Sequence, residues 1–175
     1  MVGMALPVTM TNTPGANAGR ENYWRMYEAL SRMPAPSVLV VQDISGAPSR
    51  CALAGEVMTT MAMRVGAVGM VTDGGLRDLH EVRRLGFGYF ARYAVVSHGN
   101  FSVVDVGQPV TLDGQEVRTG DILHGDANGL VIVPREVLDD LPRAVDEVRT
   151  RERATMDFIN SPGFTIAAAR KQAGY

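Results

Sequence analysis

Arg77 and Asp78 stand side by side just after an apolar run, residues 68–72, and a pair of glycines. The guanidinium of arginine is a rigid fork that binds a carboxylate or a phosphate through two hydrogen bonds. An aspartate cannot bind the same anion, but it can bind a hard cation such as Mg²⁺, which prefers one or two carboxylates plus water. The pair therefore predicts a site for an anion and a metal. Two simpler explanations stay open, a helix start that favours Asp78 and a surface salt bridge.

A second carboxylate, Glu56, follows Gly55 at the start of the helix predicted before this apolar run. Twenty residues, 57–76, separate it from Arg77, about the length of one helix plus one strand. The helix and the strand run in opposite directions, so the helix start and the strand end lie at the same edge of a parallel sheet. We expect Glu56 to lie close to Arg77 and Asp78, with the free N–H groups of the first helical turn facing the same place.

The elements that position these residues are predicted from the spacing of apolar side chains. Continuous apolar runs at 37–42 and 68–72 predict strands that are buried on both faces, and residues 87–92 predict a third strand. Helical spacing predicts amphipathic helices over 21–33 and 55–65 and a short helix after residue 78. This β-α-β-α-β order with short connections is typical of a parallel sheet with crossover helices.

The two ends of the chain have a different pattern. Residues 4–11 predict a short strand at a sheet edge, because Pro7 interrupts it. Four short β segments joined by Asp-Gly and Asn-Gly turns predict a small antiparallel or barrel-like sheet over 101–133. A helical pattern follows Pro134, and Pro142 predicts a break in it near residues 139–140. We expect one domain over residues 1–175.

Composition excludes several function classes. The 175 residues are 46% hydrophobic and 21% charged, as in ordinary soluble domains, and the net charge of −2 argues against direct nucleic-acid binding. No apolar run approaches the roughly 20 residues that span a bilayer. The start of the chain lacks a basic region and is interrupted at Pro7, which argues against a signal peptide. A single cysteine, Cys51, excludes an internal disulfide and fits the cytoplasm.

The spacing Glu56-X20-Arg77-Asp78, with Glu81 completing Arg-Asp-X2-Glu, resembles the motif of the RraA-like proteins. These include class II aldolases that act on 4-hydroxy-4-methyl-2-oxoglutarate. Other matches run in the same order over roughly residues 2–134: Gly66-Ala-Val-Gly69, Val71-Thr-Asp-Gly74, Phe90-Ala-Arg92, Gly120-Asp121 and the segment 125–134.

The resemblance implies an α/β fold, a swivelling-domain-like α-β-β-α sandwich with a central parallel β-α-β-α-β part and a small β-rich C-terminal half. It also implies a homotrimer, or a hexamer made of two trimers, with the active site between subunits. The resemblance also implies that a segment of the family usually precedes the point where this sequence starts, so we expect either a truncated start or a shortened member. Tyr93 and the segment 94–99 differ from the usual family pattern, which concerns the loop expected near the distal half of the substrate.

Residue roles follow from the same resemblance. Arg77 would bind the carboxylate of a pyruvate unit, and Asp78 would hold Mg²⁺ or Mn²⁺ mostly through water. Glu56 would orient metal-bound water. The backbone N–H groups of Val57 and Met58, next to Gly55, would bind pyruvate oxygens.

The implied function is a metal-dependent lyase that cleaves or decarboxylates a 2-oxo acid and releases pyruvate through a metal-stabilised enolate. The substrate would be of the 4-hydroxy-4-methyl-2-oxoglutarate or oxaloacetate type. A divalent metal stabilises enolate charge as a Lewis acid, so no lysine Schiff base is required. One alternative is a non-catalytic regulator that binds an RNA-degrading endonuclease, as some RraA proteins do. Another is an inactive trimeric scaffold.

The remaining candidates favour structural roles. The histidines, His80, His98 and His124, lack the HxH or HExxH spacing of a zinc site. His80 is expected on a helix surface, and His98 and His124 are expected to be incidental residues beside turns. General acid/base work by His80 and a place in an intersubunit pocket for His98 and His124 stay open as alternatives. Arg92 ends a predicted strand and is a candidate to pair with a carboxylate near the site. The thiol of Cys51 is expected to be packed rather than nucleophilic.

Overall fold

The computed structural model describes residues 1–13 and 20–174. In these residues the strands are β1 (Val2–Thr11), β2 (Ser37–Asp43), β3 (Ala52–Ala54), β4 (Ala67–Leu76), β5 (Gly88–Ala94), β6 (Ser102–Val106), β7 (Val110–Leu112), β8 (Gln115–Val117), β9 (Ile122–Asp126) and β10 (Gly129–Val133). The helices are α1 (Glu21–Arg32), α2 (Glu56–Arg64), α3 (Leu79–Arg84), α4 (Leu141–Ile159) and α5 (Ile166–Gln172), with a short 3-10 helix, Arg135–Val137. The fold is the predicted mixed α/β class.

The chain divides into two compact units, Met1–Val133 and the segment from Pro134 onward. The first unit holds all ten strands and α1 to α3, and the second holds α4 and α5. The prediction of a single domain over 1–175 stays a prediction, because compactness does not show whether a unit folds alone.

The parallel centre of the first unit matches the predicted order. Strands β1, β2 and β4 pair in parallel side by side, and both β3 and β5 pair in parallel with β4. All residues of β2 except Gln42 are buried. Alternate residues of β2 contribute to two different cores, as the two-residue period of a strand requires. Leu39 and Val41 face the helices, whereas Val38 and Val40 pack with residues of β7 and β8.

The later strands are arranged differently from the prediction. Strands β6 and β9 pair antiparallel with β1, and β10 pairs with β9, so all three extend the main sheet. A separate two-stranded sheet is formed by β7 and β8. Its turn contains Asp113 and Gly114 at φ values of 50° and 80°, as an Asp-Gly hairpin turn requires. Strand β9 was not predicted, because its sequence Ile-Leu-His-Gly-Asp shows no clear alternation.

The prediction that Pro7 marks an edge strand is wrong. Strand β1 is central, with β2 on one side and β9 and β6 on the other. The backbone of Ala5 bonds Asp121 and Gly120 on that other side, and the carbonyl of Pro7 accepts from Gly107 there. Pro7 lies between the residues that pair with β9, Val2–Met4, and those that pair with β6, Val8–Thr11. The missing N–H of proline therefore falls where β1 changes partner.

Helices α1 and α2 each bury one face and leave an apolar residue of the first turn exposed. In α1 the buried residues are Met26, Tyr27 and Leu30, while Trp24 is 52% exposed. In α2 the buried residues are Met58, Thr59 and Ala62, while Val57 is 73% exposed. The first turn of α2 therefore presents an open surface rather than a core contact.

The second unit begins with the 3-10 helix and continues as α4 after a break. Asp140 is the residue before α4, and Pro142 lies in its first turn, so the predicted interruption near residues 139–140 is confirmed. Phe158 and Phe164 meet edge to face at a ring distance of 5.6 Å. No residue of α4 or α5 is buried. None of the helices among the described residues is long and apolar enough to cross a membrane.

Candidate active site

The start of α2 is joined to the end of β4 by one hydrogen bond. The backbone N–H of Glu56 donates to Asp78 Oδ2 at 2.9 Å. The residue before the helix is Gly55, which has no side chain to cap the free N–H groups of the first turn. Asp78 supplies that acceptor from another element. The structure therefore brings together Glu56 and Asp78, which lie 22 positions apart in sequence.

Gly55 allows this close approach. A Cβ atom at this position would overlap Asp78 Oδ2 and would lie 3.0 Å from Arg77 Nε. The backbone of Gly55 is extended, with φ −147°, a conformation that any residue adopts. The requirement for glycine is therefore the space taken by the Arg77 and Asp78 side chains, not the backbone angle.

The two glycines before this pair, Gly74 and Gly75, lie inside β4. Neither has a positive φ. A Cβ at Gly74 would lie 2.8 Å from Leu53 Cδ1, and one at Gly75 would lie 2.6 Å from Val95 Cγ2. The turn comes later, at Asp78, whose φ of 59° and ψ of 39° are left-handed. Aspartate is among the residues that tolerate this conformation.

Arg77 is held by its backbone while its side chain stays accessible. Its N–H donates to the carbonyl of Ala54 at 3.1 Å. Its Nε lies 3.8 Å from Asp78 Oδ2, and the side chains of Arg77 and Asp78 are 36% and 31% exposed. This contact is a half-exposed salt bridge, which contributes little to stability. The guanidinium can therefore turn its terminal N–H groups to an incoming carboxylate.

The first turn of α2 adds backbone donors to the same corner. Val57 and Met58 follow Glu56, where no carbonyl of the helix itself is placed to accept their N–H groups. The positive end of a helix dipole favours an anion at this point. Val57 exposes its side chain and Met58 is buried, so the turn is anchored on one side and open on the other.

Tyr89 and Thr59 lie beside this corner and were not predicted. The Tyr89 hydroxyl is 3.4 Å from Thr59 Oγ1. Burial raises the pKa of Tyr89 to about 12, and the hydrogen bond from Thr59 and the charge of Arg77 oppose this increase while Asp78 adds to it. Tyr89 therefore stays protonated at neutral pH. These residues come from β5 and the middle of α2, so no spacing within one element could have revealed them.

The donor set fits a cation held mostly by water and does not fit a closed protein cage. Among residues 1–13 and 20–174 no group of three histidine, cysteine, aspartate or glutamate side chains is placed to hold a metal. Asp78 Oδ2 accepts the hydrogen bond from Glu56 N–H, and the carboxylate is accessible to solvent. Oδ1 is therefore the oxygen that could bind a cation. One carboxylate plus waters is a coordination that Mg²⁺ accepts.

The other sequence candidates lie apart from this hydrogen-bonded corner. His80 is exposed, as expected, and His98, His124 and Glu81 are exposed too. Arg92 forms a salt bridge with Asp113 on the turn between β7 and β8.

The buried thiol of Cys51 has a raised pKa, first because of burial and then because of the charge of Asp43. A thiol with a raised pKa is a poor nucleophile, which agrees with the packing role predicted for Cys51.

Sequence comparison decides the family. A sequence profile of RraA-like proteins, described as Aldolase/RraA, matches residues 1–132. The chain belongs to the RraA-like family. A relative from Laribacter hongkongensis, named "Putative 4-hydroxy-4-methyl-2-oxoglutarate aldolase", is 35% identical over 122 residues, covering 67% of this chain and 74% of its own. One from Halalkalibacterium halodurans with the same name is 31% identical over 139 residues, and the match covers 77% of this chain and 63% of the relative. The chain thus spans less than two thirds of that relative.

Solved structures share the RraA fold. An uncharacterized protein from Pseudomonas syringae has a TM-score of 0.73 at 26% identity, covering 98% of this chain and 76% of its own. The RNA-processing inhibitor RraA from Thermus thermophilis has a TM-score of 0.58 at 25% identity, covering 76% of this chain and 75% of its own. The RraA-like family therefore includes proteins named for an aldolase reaction and proteins named for inhibition of RNA processing.

Proposed function

We propose that this chain is a metal-dependent lyase that releases pyruvate from a 2-oxo acid of the 4-hydroxy-4-methyl-2-oxoglutarate or oxaloacetate type. The observation that carries the proposal is the 2.9 Å hydrogen bond between Glu56 N–H and Asp78 Oδ2. It joins the two ends of the Glu-X20-Arg-Asp spacing at one accessible corner. The relatives named as aldolases support the reaction class.

The bound substrate would place its carboxylate on Arg77 and on the N–H groups of Val57 and Met58. The fork of Arg77 recognises a carboxylate through two bonds, and the helix start adds donors that cost no reorganisation. Both substrate types then present the bond between carbons 3 and 4 to the same corner. In either case that bond breaks, and its electron pair forms the enolate of pyruvate at the 2-oxo group.

Asp78 is the residue that would hold Mg²⁺ or Mn²⁺. When bound, such a cation supplies Lewis-acid stabilisation of enolate charge. Asp78 is itself positioned by Glu56 N–H, so its free oxygen has a defined direction.

The exposed carboxylate of Glu56 would move the protons. In the aldol reaction it takes the proton of the 4-hydroxyl group while a second 2-oxo acid leaves. It then gives a proton to carbon 3 of the enolate, which completes pyruvate. In decarboxylation carbon dioxide leaves without releasing a proton, so the exposed Glu56 would first take up a proton from solvent and then give it to carbon 3.

The assembly and location are part of the proposal. Glu56 and Val57 are exposed in the isolated chain, so the corner is open on one side. A homotrimer, or a hexamer of two trimers, would close it with a neighbouring subunit. Light scattering after gel filtration tests the mass, and a monomer would contradict an intersubunit site. We place the protein in the cytoplasm, where its lone buried thiol stays reduced.

The test is pyruvate release from oxaloacetate and from 4-hydroxy-4-methyl-2-oxoglutarate, with Mg²⁺ and with a chelator. Free Mg²⁺ accelerates decarboxylation of oxaloacetate by itself, so Asp78→Ala at the same Mg²⁺ concentration is the blank. His80→Ala, an exposed change two residues away, is the matched control and should keep the wild-type rate. Wild-type turnover that is absent, or equal with and without metal, would contradict the lyase.

The second candidate is a non-catalytic regulator of an RNA-degrading endonuclease. The structural similarity to the RNA-processing inhibitor from Thermus thermophilis favours it. In that case the Arg77–Asp78 corner is a surface salt bridge only. Inhibition of RNA cleavage by wild type and Asp78→Ala alike, with no pyruvate formed, would select this function.

A further inference from the structure

A second polar cluster lies deeper along the same sheet edge. Asn12 follows β1, Asp43 ends β2 and Asp73 lies in β4, so three neighbouring parallel strands contribute one side chain each. Asn12 Nδ2 donates to Asp43 Oδ2 at 3.1 Å, and the backbone N–H of Asp43 donates to Asp73 Oδ1 at 2.7 Å. We call these residues the Asn12–Asp43–Asp73 cluster.

One acceptor in the cluster has no partner among residues 1–13 and 20–174. Asn12 is 5% exposed, and its Oδ1 is buried without a hydrogen bond to any of these residues. Its amide nitrogen already faces Asp43 Oδ2, and turning the amide over would place oxygen against oxygen. The orphan oxygen belongs to the same amide group that contacts the Asp43 carboxylate through its nitrogen. A buried acceptor without a donor is costly, so this oxygen is suited to bind a ligand.

The cluster also lacks a counter-charge. Asp43 is 9% exposed, and neither it nor Asp73 forms a salt bridge within the described residues. Arg92 influences Asp73 from a distance, but its guanidinium pairs with Asp113. Two carboxylates close together without a cation repel each other, and burial strengthens the effect.

The carboxylates are nevertheless held in fixed positions. The N–H of Ser45 donates to Asp43 Oδ1 at 2.8 Å, in addition to the bond from Asn12 to Oδ2. A Cβ at Gly74 would lie 3.2 Å from Asp43 Oδ2, tighter than ordinary contact, so glycine there leaves room for the carboxylate. Asp73 is half-buried and connects the cluster to solvent.

We propose that the Asn12–Asp43–Asp73 cluster binds a hard divalent cation, Ca²⁺ or Mg²⁺, at a second site separate from Asp78. The ligands are the orphan amide oxygen of Asn12 and the carboxylates of Asp43 and Asp73, with water completing the shell through the open side at Asp73. Two carboxylates balance the charge of a divalent ion, and oxygen donors are the ligands that such ions prefer. The cation would connect β1, β2 and β4 at this edge of the sheet.

The test separates this site from the one at Asp78 by using Asp78→Ala as the background. Calorimetric titration of that variant with CaCl₂ and with MgCl₂ should show about one bound ion per chain for at least one of the metals. Asp73→Asn in the same background keeps an oxygen to accept Asp43 N–H and should weaken binding at least about tenfold. Glu28→Gln, which removes only a surface salt bridge with Arg32, is the control and should bind like the background.

A variant that should bind the cation more tightly excludes misfolding as the cause of weak binding. Asn12→Asp replaces the orphan amide oxygen by a third carboxylate. In chelator its melting temperature should fall below that of the background, because like charges repel. The added cation should raise it by more than it raises the background, because a third anionic ligand binds the ion more tightly.

These results test the second cation site whether or not the protein is a lyase. No cation binding in Asp78→Ala, or equal binding after Asp73→Asn, overturns the second site and leaves the reaction at Asp78 untouched. A melting temperature of Asn12→Asp that does not respond to either cation overturns it as well. Cation binding in Asp78→Ala together with failed pyruvate release by the wild type would instead remove the lyase and keep the second site.

Discussion

The sheet edge holds two carboxylate groups with different surroundings. At the Arg77–Asp78 corner the aspartate is 31% exposed, accepts Glu56 N–H at 2.9 Å and has an arginine 3.8 Å away. In the Asn12–Asp43–Asp73 cluster a carboxylate accepts a backbone N–H at 2.7 Å, but no salt bridge is formed among the described residues. The first arrangement suits ligands that enter and leave, because its charges are balanced and accessible. The second suits an ion that stays, because one buried acceptor, Asn12 Oδ1, has no donor among the described residues and its carboxylates have no salt-bridge partner there.

The largest effect is expected from Asp78→Asn, which removes the charge of the carboxylate while keeping its hydrogen bond. Asp78→Asn keeps an oxygen to accept Glu56 N–H but loses the negative charge. We expect pyruvate release to fall about 100-fold or more, while the melting temperature changes little. Asp78→Ala should lose both activity and some stability, since α2 then loses its cap. Activity of Asp78→Asn close to wild type would show that the corner needs no anionic ligand.

A smaller effect is expected from Gly55→Ala, which perturbs the corner without changing any charge. The new Cβ would overlap Asp78 Oδ2 and press on Arg77 Nε, so both side chains must move. A displacement of about 1 Å can cost on the order of 100-fold in rate, and we expect a loss of about 10- to 100-fold. Pyruvate kinetics and circular dichroism measure activity and fold. Unchanged kinetics would mean that the positions of Arg77 and Asp78 do not matter.

The next prediction concerns the stability of the deeper cluster. Burial raises the pKa of Asp73 above its ordinary value of 3.8, with the nearby Asp43 charge adding to the rise. The folded chain therefore holds this proton more tightly than the unfolded chain does. The stabilisation is fully present below pH 3.8 and is lost as the pH rises through the folded pKa. Asp73→Asn cannot ionise, so it should not show this loss.

Urea unfolding in chelator at a series of pH values measures the effect. Relative to wild type, Asp73→Asn should gain stability as the pH increases from about 4 to neutrality. Glu28→Gln, on the surface of α1, should follow the wild-type curve. Parallel curves for Asp73→Asn and wild type would show that the cluster carries no electrostatic strain.

The smallest effect should come from Tyr89→Phe, beside the corner. Its hydroxyl lies 3.4 Å from Thr59 Oγ1, a long contact, so we expect a loss of about 0.5–1.5 kcal/mol in unfolding free energy. Because burial raises the pKa of Tyr89 to about 12, its ionisation should not appear in a pH–rate profile near neutrality. A changed profile in Tyr89→Phe would place this hydroxyl in the reaction. A double-mutant cycle with Thr59→Val isolates the contact.

Much of the parallel centre could be predicted from sequence, because buried strands and crossover helices have distinct periods. The approach of Glu56 to Asp78 could be predicted too, since topology alone places a helix start beside the end of the next strand. The prediction that β1 is an edge strand was wrong because proline is usually excluded from central strands. The change of partner along β1 accommodates Pro7. The sequence of β9 lacks an alternation of apolar and polar residues, so its formation depends on pairing with the neighbouring strands.

The rest of the two sites could not be predicted for a common reason. Tyr89 and Thr59, like Asn12 and Asp43, come from separate elements and meet only through sheet register and side-chain direction. No spacing within a segment encodes such contacts. The glycines at 74 and 75 show the same limit, because the sequence favours a turn there and the neighbouring Leu53 and Val95 side chains require glycine for space.

The position of β1 has a consequence for how the chain folds. Val2 pairs with His124, and Thr11 pairs with Ser102, so the earliest strand is completed by some of the last strands of its unit. Closing such long loops costs entropy before any contact repays it, which slows folding. On the ribosome β1 can pair with β2 early, but its other edge stays open until residues near 126 have emerged. During that interval it is a template for wrong pairing between chains.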